Sequence, residues 1–377
     1  MGGGSGGHVT PVVAVLKEIR SLQPDVELRF WCDTAFAPQA ASIVGTFDDT
    51  IPVQTILSGK LRRYHHLTLW QHIIWPSLMW QNLKDIFKVT GGFFQSLSKL
   101  IFWRPDVVFT KGGFVCLPVG MAAKVLGIPL VIHDSDAHPG LTNRILSRWA
   151  TSIATGAPLE YYNYPKSKAT YVGIPINEAF QTLTATQQAA AKKKWNVDPK
   201  KPLFVVTGGG LGARRLNNTT LAVQKELELL GSLILVSGAG QYEELRERIP
   251  KDTKTFQLHR FVSTMHELLG AADIVVTRAG ATTILELAAL HKPTILVPNA
   301  ALTGGHQLKN AAVYGEAQVA IVLDEDEMVD NPKLLVKAVS AYLNDPKTTK
   351  SMASRFGKFA KPHAAKDMAE LILGAVK

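Results

Sequence analysis

The stretch LFVVTGGGLGARRLN (203–217) reads as a buried strand that runs into a glycine loop and then a helix. Phe204, Val205 and Val206 form an apolar run without the alternation of a half-exposed strand, which suits a parallel sheet covered on both faces. The glycines that follow let the backbone expose its N–H groups, and the next helix turns its positive end toward the loop, so the unit is a cradle for phosphate oxygens. DVVFTKGG (106–113), PLVIHD (129–134), LILVSGAG (233–240), DIVVTRAG (273–280) and TILVP (294–298) repeat the run and its loop. The pattern is that of an α/β protein on parallel sheets.

A second cradle, GGGSGGH (2–8), opens the chain with no strand in front of it. TPVVAVLKEIRSL (10–22) reads as a helix, with Thr10 as N-cap, Pro11 in the first turn and apolar Val12, Val15, Leu16 and Ile19 along one face. A flexible glycine linker is the plain alternative. Each half therefore carries its own doubly wound sheet, the first expected to lack its opening strand. A hinge is expected near YVGIPINEAF (171–180), and the closing stretch SMASRFGKFAKPHAAKDMAELILGAVK (351–377) reads as a helix broken near Pro362 that returns to the first domain. The expected domains are 1–174 with 352–377, and 175–351.

A chain of 377 residues has room for two such domains. It offers no apolar run long enough to span a bilayer and no charged-then-apolar leader, so neither a spanning helix nor a secretory signal is expected. Cys32 and Cys116 stand far apart, outside any metal-ligand or redox spacing, and no metal site is expected. With 41 Lys and Arg against 31 Asp and Glu the net charge is +10, which points to a polyanionic partner: nucleic acid, a phosphorylated ligand or an anionic membrane. Nucleic-acid-binding signatures are missing, so nucleic acid is not expected as the partner.

Residues 60–103 stand apart. They hold Trp70, Trp75, Trp80 and Trp103 among four phenylalanines, with Arg62, Arg63, Lys84, Lys88, Lys99 and Arg104 interleaved or adjacent. Rings mixed with cations suit a membrane interface with anionic lipid, while a helical hairpin with core aromatics is the other reading.

Two further motifs carry chemistry. After KGGFV (111–115), HDSDAHPGLTNR (133–144) sets Asp134, Asp136, His138 and Asn143 between a strand and a helix, where ligands bind in such sheets; the same residues also serve as turn and cap residues. RAGATTILELAALHKPTILVP (278–298) follows a strand with a helix expected to be capped near Thr282 or Thr283. Glu286 in its opening turns could accept from a ribose diol, or could be a helix-stabilising acid.

GGGSGGHVTP, KGGFV with HDSDAHPGLTNR, TGGGLGARRLN, and RAGATTILELAALHKPTILVP with GGHQLKNA (304–311) resemble, in order and over nearly the full chain, the MurG family of peptidoglycan glycosyltransferases. The resemblance implies a GT-B fold, two Rossmann-like doubly wound domains facing a cleft. The implied activity is an inverting, metal-independent transfer of N-acetylglucosamine from UDP-GlcNAc to lipid I, giving lipid II, with no cofactor. The N-terminal domain would take the acceptor and face the membrane, and the C-terminal domain would take the UDP-sugar. Implied partners are UDP-GlcNAc, lipid I, an anionic membrane surface and other cell-wall enzymes. The implied place is peripheral, on the cytoplasmic face of the bacterial membrane.

By position the resemblance makes Ser5, Gly6 and Gly7, with His8, the first loop, where the first three would contact the donor, and Gly112 with Gly113 the second, on the acceptor. Asp134 and Asn143 fall near the acceptor. Gly208 to Ala213, including Gly210, would face the donor diphosphate, with Asp136 and Asn177 nearby. Phe261 and Val262 match the uracil-reading segment, Ala281, Thr282, Thr283, Ile284, Leu285 and Glu286 the ribose and phosphate contacts, and Gln307 the sugar contact. The chain departs from the family where Asp134 and Asp136 replace Glu and Asn, Asn177 replaces Arg, and Gly210 replaces Ser; Arg214, Arg215 or Lys166 would have to supply the lost positive charge.

An imidazole titrating near neutrality suits a base that takes the acceptor hydroxyl's proton, which nominates His8; a histidine after a glycine loop could instead donate to phosphate. Another GT-B UDP-sugar transferase, a UDP-GlcNAc epimerase and a catalytically silent membrane scaffold stay open, since fold alone does not fix a reaction.

Overall fold

The computed structural model describes residues 1–2, 6–60, 76–209, 212–249, 251–301 and 305–376, with backbone only for residues 6–8, 10 and 76–78. The chain divides into two compact units, Met1–Asn177 with Lys361–Lys377, and Glu178–Ala360. Helix Pro346–Gly357 stays with the second unit, and the return to the first comes at Lys361.

In the first unit, β1 (Phe30–Cys32) pairs in parallel with β2 (Val53–Thr55). A separate parallel sheet runs β3 (Val108–Thr110), β4 (Leu130–Asp134), β5 (Ser152–Thr155) and β6 (Ala169–Tyr171). The first two residues tie the sheets together: the Met1 amino group donates to Phe109 O at 2.8 Å, Lys111 N to Met1 O at 3.0 Å, and Gly2 N to Trp31 O at 3.4 Å. The order across the unit is thus β2, β1, Met1–Gly2, β3, β4, β5, β6, which winds outward in both directions from the join of Met1–Gly2 and β3. Ligand crevices in such sheets open where the order reverses.

No strand precedes helix Gly6–Leu22 among the described residues. That helix starts before the expected cap at Thr10, so Gly6 and Gly7 form its first turn and Pro11 lies inside it. Its apolar face carries Val12 and Leu16 against β1, and Val15 and Ile19 against β4 and the returning helix Ala364–Leu373 through Met368 and Ile372. The break near Pro362 separates that helix from Pro346–Gly357.

Helix Pro76–Trp103 gives a divided answer for the aromatic segment. Leu100 is buried in the core, Val89, Phe93 and Leu97 pack against it, and Trp103 lies beneath the Arg29 guanidinium, 4.5 Å from its ring centroid. Trp80, Leu83, Phe87, Phe94 and Ile101 are exposed, and at 100° per residue they fall on one stripe. Trp70, Trp75, Arg62 and Arg63 lie outside the described residues. No described helix is long and apolar enough to cross a membrane.

The second unit holds one six-stranded parallel sheet in the order β12-β11-β10-β7-β8-β9, made of β7 (Leu203–Thr207), β8 (Ser232–Val236), β9 (Phe256–His259), β10 (Ile274–Thr277), β11 (Thr294–Leu296) and β12 (Ile321–Val322). Counted from β7 this is the doubly wound order 3-2-1-4-5-6, and it reverses between β7 and β10. Phe204, Leu235 and Phe256 are fully buried. Burying side chains of this size is worth about 1.5–3 kcal/mol each.

Candidate functional site

In the second unit the candidate site lies where the sheet order reverses. Thr207 and Thr277 are register partners, so the loops leaving β7 and β10 start side by side. After β7, Gly209 donates to Thr207 Oγ1 at 3.2 Å and Gly212 N to Gly209 O at 3.0 Å. Gly212 has φ +76° and a Cβ there would meet Ser237 O at 2.5 Å, so no other residue fits. Gly210 lies outside the described residues. Helix Arg214–Ala222 follows with no side-chain cap, leaving its first N–H groups for a ligand.

After β10, Gly280 is the N-cap of helix Ala281–Ala289, which corrects the cap expected at Thr282 or Thr283. Ala281, Thr282 and Thr283 form the first turn and are half-buried, with no side-chain cap on their N–H groups. Ile284 and Leu285 turn their side chains into the core, at 0% and 1% exposure, and Ile284 N bonds Gly280 O. Glu286 lies in the second turn, beyond the reach of a first-turn dipole effect. Its carboxyl has no hydrogen bond or ion pair among the described residues, and burial pushes it up to about 7.

Gln307 spends its Oε1 on Asn299 N at 2.9 Å, fixing the loop after β11, and its amide nitrogen has no partner among the described residues. Val262 is buried beside an exposed Phe261. Arg278, inside the RAG motif, is structural: its guanidinium donates to Val297 O at 3.1 Å and to the Glu325 carboxylate, both partners buried. Sequence reasoning missed this pair because Glu325 lies 47 residues downstream.

In the first unit, Lys111, Gly112 and Gly113 leave β3 beside the loop that leaves β4. Gly112 and Gly113 both have positive φ, and a Cβ on Gly112 would lie 3.3 Å from Asn143 Nδ2. Asn143 is 2% exposed, and its amide donates to His133 O at 2.9 Å and Asp134 Oδ1 at 2.7 Å. It thereby orients Asp134, while its own Oδ1 is buried with no hydrogen-bond partner among the described residues. The Tyr164 hydroxyl donates to the other Asp134 oxygen. Burial nonetheless raises Asp134 to about 6.

The buried Lys111 ammonium donates to Ser135 Oγ, and burial lowers it to about 8 against the opposing pull of Asp136 and Asp134. Lys111 and Tyr164 were not singled out from sequence, although the lysine stands inside KGGFV. Asp136 is half-buried on the same loop, with its carbonyl accepting from Tyr162 OH at 2.6 Å. Gly6, Gly7 and His8 form the first turn of helix Gly6–Leu22; Ser5 and the His8 side chain lie outside the described residues.

Residues 203–370 match the glycosyltransferase family 28 C-terminal domain, and residues 1–155 the family 28 N-terminal domain. A curated protein of Lachnospira eligens, named UDP-N-acetylglucosamine--N-acetylmuramyl-(pentapeptide) pyrophosphoryl-undecaprenol N-acetylglucosamine transferase, is 35% identical over 91% of this chain and 90% of its own. The crystal structure of MurG from Acinetobacter baumannii superposes with TM-score 0.75 at 24% identity, covering 98% of this chain and 97% of that one. The chain belongs to the MurG family. It is a glycosyltransferase. The UDP-GlcNAc 2-epimerase of Neisseria meningitidis shares the fold, with TM-score 0.67 at 11% identity over 99% of this chain and 98% of that one. At that identity the likeness concerns fold alone.

Of the three side chains expected to supply positive charge in place of an arginine at Asn177, Lys166 is exposed with no ion pair among the described residues, while both arginines are paired. Arg214 is paired with Glu244 at 2.5 Å, and Arg215 with Asp326 at 2.6 Å and Glu325 at 3.4 Å, so neither guanidinium is held in reserve. Asn177 is the exposed last residue of the first unit.

Proposed function

We propose that this MurG-family chain transfers N-acetylglucosamine from UDP-GlcNAc to lipid I, with the second unit holding the donor and the first the acceptor. The observation that carries the reading is Glu286: a buried carboxyl with no hydrogen-bond donor among the described residues, in the second turn of the helix that leaves β10, the strand paired with β7 at the reversal of the sheet. A ribose diol supplies two donors to that carboxyl, while the diphosphate meets open N–H groups and helix dipoles. Val262 and Phe261 would face the uracil, and the Gln307 amide the sugar.

The acceptor oxygen then bonds to the anomeric carbon as that carbon's bond to the UDP oxygen breaks, with inversion. The hydroxyl proton passes to the His8 imidazole, and UDP leaves with the bonding pair. The leaving charge is met by backbone donors, so the step as proposed routes nothing through a metal. Gly112, Gly113 and Asp134, held by Asn143, would line the acceptor side.

The exposed stripe from Trp80 to Ile101, with Lys84 5.3 Å over the Trp80 ring, supports peripheral binding to an anionic leaflet, which this reading puts at the cytoplasmic face. The test is purified protein with UDP-GlcNAc and a lipid I analogue, following UDP release and sugar transfer. Acceptor-dependent UDP release is expected; sugar epimerisation without acceptor, or no turnover while UDP still binds, would overturn the reading in favour of an epimerase or a scaffold.

A further inference from the structure

A cavity of about 530 Å³ in the first unit is lined by Arg144, Arg148 and Lys168 together with His138, Tyr161 and Tyr164, and no carboxylate is among its lining residues. Arg144 is in the last turn of helix Leu141–Leu146, and Arg148 follows one turn later on the continuing turn closed by Arg148 N to Ile145 O. Like charges at that spacing repel, and the negative end of the helix offsets this for the last-turn arginine more than for its successor. Among the described residues neither guanidinium has a hydrogen bond or an acidic partner. Lys168 is tethered only to Ala150 O at 3.2 Å, which leaves its charge uncompensated. The three cations are exposed residues that line one concavity with no carboxylate among its lining residues, an arrangement that attracts an anion.

The cavity also adjoins the acceptor loops. Tyr164 is one of its walls, and the hydroxyl of that tyrosine is bonded to Asp134. Tyr164 stacks on Tyr162, with ring centroids 5.7 Å apart. The volume falls in the range of sites that enclose a small molecule, about 300–1,000 Å³, and exceeds what a phosphate group alone fills. The planar forks of two arginines suit carboxylates, and the tyrosine and proline walls suit a peptide backbone.

Resting on the acceptor assignment above, we infer that this pocket holds the peptide portion of the acceptor by its carboxylates, outside the reacting sugar. Arg144 and Arg148 clamp the carboxylates and Lys168 closes the far side. The pocket then selects acceptors by the charge of their peptide.

The test is titration calorimetry with a soluble N-acetylmuramyl-pentapeptide, and with inorganic diphosphate as the second probe, on the full chain. Charge reversal in Arg144→Glu with Arg148→Glu is expected to weaken the peptide probe by about tenfold or more, the scale of losing charged hydrogen bonds. Parental Tm and UDP affinity certify that this variant is folded. Where the double variant melts early, Lys168→Glu alone replaces it, with a smaller loss of the same sign expected. The lysine pair Arg144→Lys with Arg148→Lys should recover part of the affinity.

Peptide affinity unchanged by reversal, no peptide binding by the parent, or a reversal that affects only the diphosphate probe would each overturn the proposal. Failure of the acceptor reading itself shows separately, as a parent protein that binds UDP yet transfers no sugar to the complete acceptor.

Discussion

The Met1 amino group donates to the carbonyl oxygen of Phe109 at 2.8 Å, and through this bond a two-stranded sheet and a four-stranded sheet become neighbours. Behind it a cavity of about 970 Å³ has Val12, Leu16, Ile19, Phe30 and Val107 on its walls, with the charged Asp25, Glu27, Arg29, Arg104 and Asp106 also lining it and the edges of β1 and β3 on either side. A strand joined ahead of Met1 would run into that space in parallel with both edges. Six to eight apolar residues placed there are expected to raise Tm by about 5 °C or more, since a central parallel strand is buried on both faces. The pH dependence supplies a second check. Burial lowers the Met1 amine below its usual 8.0, so the stability it allows is present above pH 8 and lost as pH falls toward the lowered value. Extension turns that amine into an amide and should flatten the loss; an unchanged melt and an unchanged pH profile would refute the placement.

Tyr164 and Asn143 hold Asp134 from opposite sides, and their removal should separate by pH. Asp134 sits at about 6 in the fold against 3.8 unperturbed, so its favourable contribution is full below pH 3.8 and disappears as pH rises through 6. Tyr164→Phe removes a donor that favours the ionised form. At pH 8 it should cost about 1.5–3 kcal/mol, the scale of a hydrogen bond to a charged group, and distinctly less at pH 5. Thermal melts at the two pH values measure this, and equal losses at both would show that Asp134 does not change its protonation between them.

The strands most legible in the sequence are those whose apolar runs are continuous: LFVVT, LILV, IVVT and PLVIHD all lie on sheets buried on both faces. FWC, VQT and ATY are three-residue strands whose existence depends on their neighbours' edges, and no periodicity can develop over that length. The glycine loops could be read because their backbone demands are local. The bond from Tyr164 to Asp134 and the pair of Arg278 with Glu325 could not, because each joins residues far apart in sequence through the fold. Ile284 and Leu285 show the same limit in reverse: a motif names a segment, and only the helix phase decides which of its side chains face a ligand.

The exposed stripe on helix Pro76–Trp103 predicts salt-sensitive binding to anionic vesicles. Phe87 is 69% exposed and Phe102 88% exposed, so replacing either costs little core packing. Trp80→Ala with Phe87→Ala should weaken binding to anionic vesicles while leaving Tm near the parent's, and raised salt should weaken both proteins. Co-sedimentation that is equal on neutral and anionic vesicles and indifferent to the substitutions would remove the membrane role.

His8 and Glu286 are assigned to different moments of the reaction, and kinetics can separate them. His8→Ala should lower kcat by roughly 10²–10⁴-fold with UDP affinity nearly unchanged, since a base acts only as the proton leaves. Glu286→Gln should chiefly raise the donor KM, because the ribose is held in ground state and transition state alike. Glu286 also gives UDP binding a pH signature. Its carboxyl titrates at about 7 in the free protein, and the ribose hydroxyls donate best to the ionised form. UDP affinity should therefore rise as pH increases through 7, with a proton released on binding below that pH; Glu286→Gln should abolish both effects. Calorimetry in buffers of differing ionisation enthalpy measures the proton directly. UDP binding that is independent of pH in the parent, or a dependence that survives in Glu286→Gln, would move the ribose contact to another residue, and a near-parental kcat in His8→Ala would move the base, with Asp134 and Asp136 the next carboxylates to test.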